Sequence, residues 1–196
     1  MRKERRETRN ESDKGFTLVE TMVAIAVVAI ALVGPFVAVQ NALRASYTSR
    51  DQLIASQLAQ EGMEYVRSVR DANFLNNRAG GWLDGFNTAT QNRNRCFSLT
   101  STNPTGYCTV DPMGGDLHQS AASMVGYLTL ASVPVLDITP AGFYRHAATS
   151  PDSKFKRSVQ IATLSADEIR VTVVVSWITT GQTYSVTVVG NLQNWQ

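Results

Sequence analysis

The feature that most constrains this chain is the run from Phe16 to Val39, 24 residues almost all apolar with Glu20 as the only charge. At about 1.5 Å per residue a helix of that length crosses a bilayer core of about 30 Å. A cleaved secretory signal has a shorter apolar region and a small-x-small site at its far end, and neither occurs after Val39. The run is therefore expected to stay in the protein as a membrane span. The 15 residues before it carry six basic side chains (Arg2, Lys3, Arg5, Arg6, Arg9, Lys14) and four acidic ones (Glu4, Glu7, Glu11, Asp13). Basic residues on that side place the N-terminus in the cytoplasm and everything beyond about Gln40 outside it.

The leader's net charge equals the +2 of the whole 196-residue chain, so the rest is neutral. A neutral body carries no basic stripe, and nucleic acid is not indicated as a partner. The pairs Arg93/Arg95 and Lys156/Arg157 are read as solvated surface. With 43% hydrophobic residues, the length suits one globular domain plus the span.

From Asn41 to Asp71 there is no proline and a single glycine, Gly62, while Leu43, Tyr47, Ile54, Leu58, Tyr65 and Val69 recur at helical spacing. Arg44, Arg50, Gln52, Gln60, Glu64, Arg67 and Arg70 are assigned to the opposite face. Span and amphipathic stretch read as one rod of about 84 Å, with a break or kink expected at Gly34-Pro35, where proline removes a backbone donor. That dipeptide is either a tolerated kink in a membrane helix or a place where the helix loosens on packing.

Beyond Asp71 the chain turns rich in Asn, Gly, Thr and Ser, with Phe74, Trp82 and Phe86 read as anchors pinning a long loop. The last third is β-rich. Phe155 to Thr163, Glu168 to Ile178 and Thr183 to Leu192 show β-branched alternation, Thr179-Thr180-Gly181-Gln182 reads as a hairpin turn, and Gly126 to Ala131 and Gly142 to Ala147 are weaker strands. Ile169, Val171, Val173, Val175 and Trp177 share one apolar face, which the helix stripe is expected to cover. The fold class is thus α+β, a long N-terminal helix on a C-terminal antiparallel sheet. The divisions are a leader (1–15), a span (16–39), an amphipathic helix (40–72), a loop region (73–125) and a sheet (126–196), with 40–196 forming one globular domain.

Across the leader boundary the sequence reads Lys14-Gly15-Phe16-Thr17-Leu18-Val19-Glu20, then Thr21-Met22-Val23-Ala24-Ile25. This resembles the N-terminal processing motif of type IV prepilins and of the pseudopilins of type II secretion. The resemblance implies that a membrane-embedded prepilin peptidase cuts after Gly15 and that the new N-terminal Phe16 is methylated on its amine. It gives Glu20 the role of meeting the Phe16 amine of a neighbouring copy during assembly; taken alone, Glu20 also reads as an interfacial carboxylate favoured by the helix N-terminus. The implied partners are copies of this chain or other pilins, the peptidase/methyltransferase, an inner-membrane assembly platform, and the membrane before assembly. The implied location is the cytoplasmic membrane first and an extracellular filament afterwards.

Cys96 and Cys108, on the side where disulfides persist, are expected to bridge and to staple a hairpin around Asn103-Pro104-Thr105-Gly106, for about 2 to 3 kcal/mol; the alternative is two reduced thiols. Their place ahead of the sheet departs from many type IV pilins, whose disulfide brackets a segment near the C-terminus. His118 and His146 lack a spaced partner and are read as surface residues. Asp111-Pro112-Met113-Gly114-Gly115-Asp116 offers oxygen ligands but matches no EF-hand spacing. No metal or cofactor is expected, and no nucleophile, phosphate-loop or dinucleotide signature suggests an enzyme. The functional expectation is a pilin, major or minor. The alternatives are a type II secretion pseudopilin and a signal-anchored monomeric extracytoplasmic binding protein.

Overall fold

The computed structural model describes residues 15–77, 79–86, 95–98, 104–112, 124–146 and 153–194. The fold is α+β and pilin-like. Helix α1 spans Leu18–Leu75 and is followed by β1 (Phe97–Ser98), β2 (Tyr107–Val110), β3 (Met124–Tyr127), a 3₁₀ turn (Leu130–Ser132), β4 (Asp137–Ile138), β5 (Tyr144–Arg145), β6 (Phe155–Ser165), β7 (Glu168–Thr179) and β8 (Gln182–Gln193). By its contacts the chain divides into two compact units, Met1–Thr48 and Ser49–Gln196.

In the first unit the described part of α1 is solvent-exposed almost throughout. Its most apolar 18-residue window has a mean hydropathy of 2.8 and none of it is buried. The helical assignment runs through Pro35 without a break. Membrane-type helices tolerate proline where the freed backbone groups are satisfied again by neighbouring helices or local adjustment.

In the second unit the main sheet has the order β3-β2-β6-β7-β8 with antiparallel neighbours. β1 pairs with β6 in parallel, so β6 shares one edge between β1 at Ile161 and Ala162 and β2 at Val159. The three long strands are those whose β-branched alternation marks them in the sequence. Thr179 and Gln182 close the β7–β8 hairpin, and Thr180 (φ 51°) and Gly181 (φ 79°) both lie at positive φ. Two such residues make the two-residue turn whose twist matches the flanking strands.

Ile169, Val171, Val173, Val175 and Trp177 are all buried, in one cluster with Ala55, Leu58, Ala59, Met63, Tyr65, Val66 and Val69 of α1. At about 1.5 to 3 kcal/mol per fully buried aliphatic side chain, that face of β7 demands a cover. The seam is built on small residues. A Cβ on Gly62 would lie 3.0 Å from Val173 Cγ1 and 3.3 Å from Arg157 Cδ, so the glycine lets helix and sheet approach closely.

Several expectations are corrected here. Leu43 and Tyr47 are exposed (50% and 63%) rather than part of the buried stripe, which begins at Asp51 and runs through Ala55, Ala59 and Gly62. Arg70, expected on the outer face, is buried; its Nε donates to Asp71 Oδ1 at 2.8 Å and its guanidinium to the Gln193 carbonyl at 3.2 Å. Of the loop anchors, Phe86 is fully buried and Trp82 packs on the core, but Phe74 is exposed. Asn73 fastens that loop by donating to the Trp82 and Asp84 carbonyls at 3.1 and 2.9 Å. The weak strand at Gly126 to Ala131 is β3 with a 3₁₀ turn after it, and among the described residues of Gly142 to Ala147, which end at His146, Tyr144–Arg145 forms a strand.

Candidate functional site

Gly15, Phe16 and Thr17 precede the helix and are irregular, so the Gly15–Phe16 bond lies outside the hydrogen-bonded turns. A backbone in that state enters an extended protease cleft without unwinding a helix. Among the described residues nothing lies within 4 Å of where a Cβ on Gly15 would stand. Phe16 is 80% exposed.

Thr17 starts the helix. Its hydroxyl accepts from the Glu20 backbone N–H at 3.2 Å, and its carbonyl accepts from Thr21 N–H at 3.2 Å. Threonine followed three residues later by glutamate is the sequence form of a capping box. In hydrocarbon such a cap matters, because orphan donors of the first turn have no water to turn to. Glu20 stands in that first turn, exposed, where the positive end of the helix dipole favours a carboxylate. Among the described residues no cation is paired with it. Gly34, like Gly15, has open space where a Cβ would be.

Cys96 and Cys108 form a disulfide with Cα atoms 5.3 Å apart. Of the segment that they enclose, residues 99–103, with Asn103 of the expected turn, lie outside the described residues. Cys96 accepts from Ile161 N–H through its carbonyl while Cys108 faces Val159, so the bridge joins two segments that lie along the same edge of β6. Among the described residues β1 and β2 each pair with β6, β1 in parallel and β2 antiparallel.

The charged cluster of the second unit was not expected. Arg157, read from sequence as solvated, is completely buried between helix and sheet. Its guanidinium is bound by the Glu61 carboxylate, by the Val110 carbonyl at 2.9 Å and by the Leu58 carbonyl at 3.4 Å, and its Nε has no partner among the described residues. The signal was present in the alternation: Phe155, Arg157, Val159 and Ile161 share the inward face of β6. Lys156, the residue before Arg157, is half-buried and donates to the Ala131 carbonyl at 2.9 Å.

His146 is half-buried rather than on the surface, and both ring nitrogens are shielded without a hydrogen-bond partner among the described residues. Burial, aided by the Arg157 charge, lowers its pKa from 6.5 to about 4. Nearby, Arg145 reaches the buried Asp111 carboxylate at 3.6 Å. Asp111 is the only carboxylate of the Asp111 to Asp116 run that is described; Asp116 lies outside the described residues, as do His118 and Arg93. Among the described residues no three His, Cys, Asp or Glu side chains converge as a metal site.

The described structure thus brings Phe16, Thr17 and Glu20 to one helix end and gathers the buried ionic groups far along the chain, under β6. Compared with known families, residues 12–34 match the prokaryotic N-terminal methylation motif. No curated protein and no solved structure matches the chain.

Proposed function

From a chain that carries the prokaryotic N-terminal methylation motif and a pilin-like α+β fold, and is therefore type IV pilin- or pseudopilin-like, we propose that it is a structural pilin, major or minor, of a type IV pilus-like extracellular filament. The motif belongs to structural subunits, implies processing by prepilin peptidase, and with one apolar helix fits membrane anchoring before assembly.

The chain inserts with its basic leader in the cytoplasm. Hydrolysis of the Gly15–Phe16 bond then removes residues 1–15 and frees the Phe16 amine, and methylation leaves that amine basic and cationic. A carboxylate inside a hydrocarbon segment costs a few kcal/mol unless it is paired or reaches the interface. Glu20 acquires its partner when cleavage frees Phe16 on another copy, and the pair sets the axial stagger, since a misaligned copy leaves a charge unpaired among apolar helices. Copies leave the membrane by exchanging lipid for protein along Phe16 to Val39, with Gly34-Pro35 as the point where the helix gives.

The observation that carries this reading is the motif at residues 12–34, set at the start of an apolar helix with no buried residue in its span. A disulfide and a long loop in the outer part favour a pilus subunit over a secretion pseudopilin. The test is Glu20→Ala in the full-length chain: processing and membrane insertion stay normal, and filament yield is lost. Normal yield from that variant refutes the assembly role.

A further inference from the structure

The face of β7 opposite the one that packs with α1 carries a groove. Cross-strand register sets Lys156 of β6 beside Ser176 of β7 and Ser176 beside Ser185 of β8, so one ammonium and two hydroxyls stand in a row across three adjacent strands. The neighbours of Ser176 along the same face of β7 are Val174 and Ile178, both apolar. Thr172 and Val174 are half-buried on that face and Ile178 is exposed, yet Ser176 is only 7% exposed. Leu130, Ala131 and Val135, from the 3₁₀ turn and the segment after it, line the groove together with this row. The Lys156 ammonium donates to the Ala131 carbonyl at 2.9 Å, a bond that ties the turn to the sheet. The groove holds about 670 Å³, inside the range of roughly 300 to 1,000 Å³ that small-molecule sites occupy. Two polar groups in it are left wanting. The Ser176 hydroxyl, on a side chain more than nine-tenths buried, has no hydrogen-bond partner among the described residues, although buried hydroxyls are ordinarily paired. Lys156 has three donors and uses one on Ala131, and among the described residues no carboxylate pairs with it. The other lysine of the groove, Lys154, is neutralised by Asp51 at 2.5 Å, so one positive charge is uncompensated.

We propose that this groove is a binding site for a small monocarboxylate with an apolar body. Side chains directly opposite on neighbouring strands have Cβ atoms about 4.5 to 5.5 Å apart, so the two oxygens of one carboxylate are within reach of the Lys156 ammonium and the Ser176 hydroxyl together. Hydrogen bonds from donors to an ionised acceptor are the strong ones, and here they meet the two groups that lack partners. The apolar body then lies on Val174 and Ile178 against Leu130 and Val135. The net charge of the groove selects among ligands. A second anionic group has no counter-ion there, a cation meets the ammonium, and a neutral alcohol forgoes the charge-assisted bonds.

The test uses the full-length chain in phosphatidylcholine nanodiscs, free of detergent that could fill the groove. Hexanoate is the probe, with hexan-1-ol and hexylammonium as comparisons, and the amide chemical shifts of Lys156, Ser176 and Ile178 are followed through each titration. Hexanoate is expected to move them saturably and to bind about tenfold or more tightly than hexan-1-ol, while hexylammonium leaves them in place. Lys156→Gln is expected to weaken hexanoate about tenfold and Ser176→Ala about fivefold, with hexan-1-ol unaffected by either. The remaining amides report in the same spectra whether each variant is folded. Should either fail to fold, Ile178→Glu decides, since that position is 62% exposed and its new carboxylate repels the probe; hexanoate binding is expected to vanish. The absence of a saturable shift with hexanoate overturns the site. Equal affinity for hexan-1-ol overturns it too, because the groove is then apolar surface alone, and so does hexanoate binding that survives Lys156→Gln or Ile178→Glu undiminished.

Discussion

Glu61→Ala is expected to destabilise the outer unit more than Arg157→Met does, although both remove the same ion pair. Arg157 has no exposed side-chain surface, whereas the Glu61 side chain is 40% exposed. Deleting the glutamate leaves a buried guanidinium with two carbonyls, those of Val110 and Leu58, and no counter-charge. Removing one partner of a buried pair costs about 3 to 5 kcal/mol; the two remaining carbonyls put this case near the lower end, at about 3 kcal/mol. Replacing the arginine by methionine fills much of the same space and returns Glu61 to water. Two carbonyls lose a donor at about 1 kcal/mol each, offset by not having to bury the charge, so the net change is within about 1 kcal/mol. The assay is urea unfolding of the full-length chain in micelles, followed by the fluorescence of the buried Trp177, with the slope checked for constancy. For a chain of this size about 3 kcal/mol is a fall in Tm of roughly 6 to 12 °C. The double variant should recover most of the Glu61→Ala loss. If Arg157→Met is as damaging as Glu61→Ala, or the double variant is the worst of the three, the pair's attraction and not the desolvation of Arg157 dominates, and the reasoning fails.

The helix–sheet seam gives a second prediction: Gly62→Val sets a branched side chain where even a Cβ meets Val173 at 3.0 Å, and overpacking of that kind costs about 1 to 3 kcal/mol, read as a lower urea midpoint. His146 gives a third. Its folded pKa of about 4 lies below the unfolded 6.5, so the folded state binds fewer protons across that window; its contribution is fully present above pH 6.5 and is lost as the pH falls to about 4. The loss is at most about 3 kcal/mol, and His146→Gln should flatten the dependence of the unfolding midpoint between pH 6.5 and 4; an unchanged slope contradicts the assignment.

Much of this fold is legible because it rests on periodicity. The apolar run, the three long strands, the inward face of β7 and the β7–β8 turn each follow from a repeat or from a local backbone demand that one sequence displays. What escaped has physical causes. Helix and sheet meet through Ala55, Ala59 and Gly62, residues too small to stand out in a hydrophobic stripe, while the larger Leu43 and Tyr47 are exposed. Arg157 was misplaced because its charge outweighed its phase, although it alternates with Phe155, Val159 and Ile161. A parallel pairing such as that of β1 with β6 leaves no local trace in the sequence. β4 and β5 are two-residue pairings that exist only through their partners. At the helix start the reverse holds: Gly15, Phe16 and Glu20 were named from the motif, and Thr17 acquired its capping part only from the hydrogen bond to Glu20.

The most direct test of the account is the intact mass of the chain recovered from cells that carry its assembly machinery. The account predicts a polypeptide that begins at Phe16 and is heavier than the bare sequence by about 14 Da, one methyl group on the new amine. A chain that still begins at Met1 contradicts it, because Glu20 would then have no freed amine to meet and the apolar helix would be an anchor and nothing more.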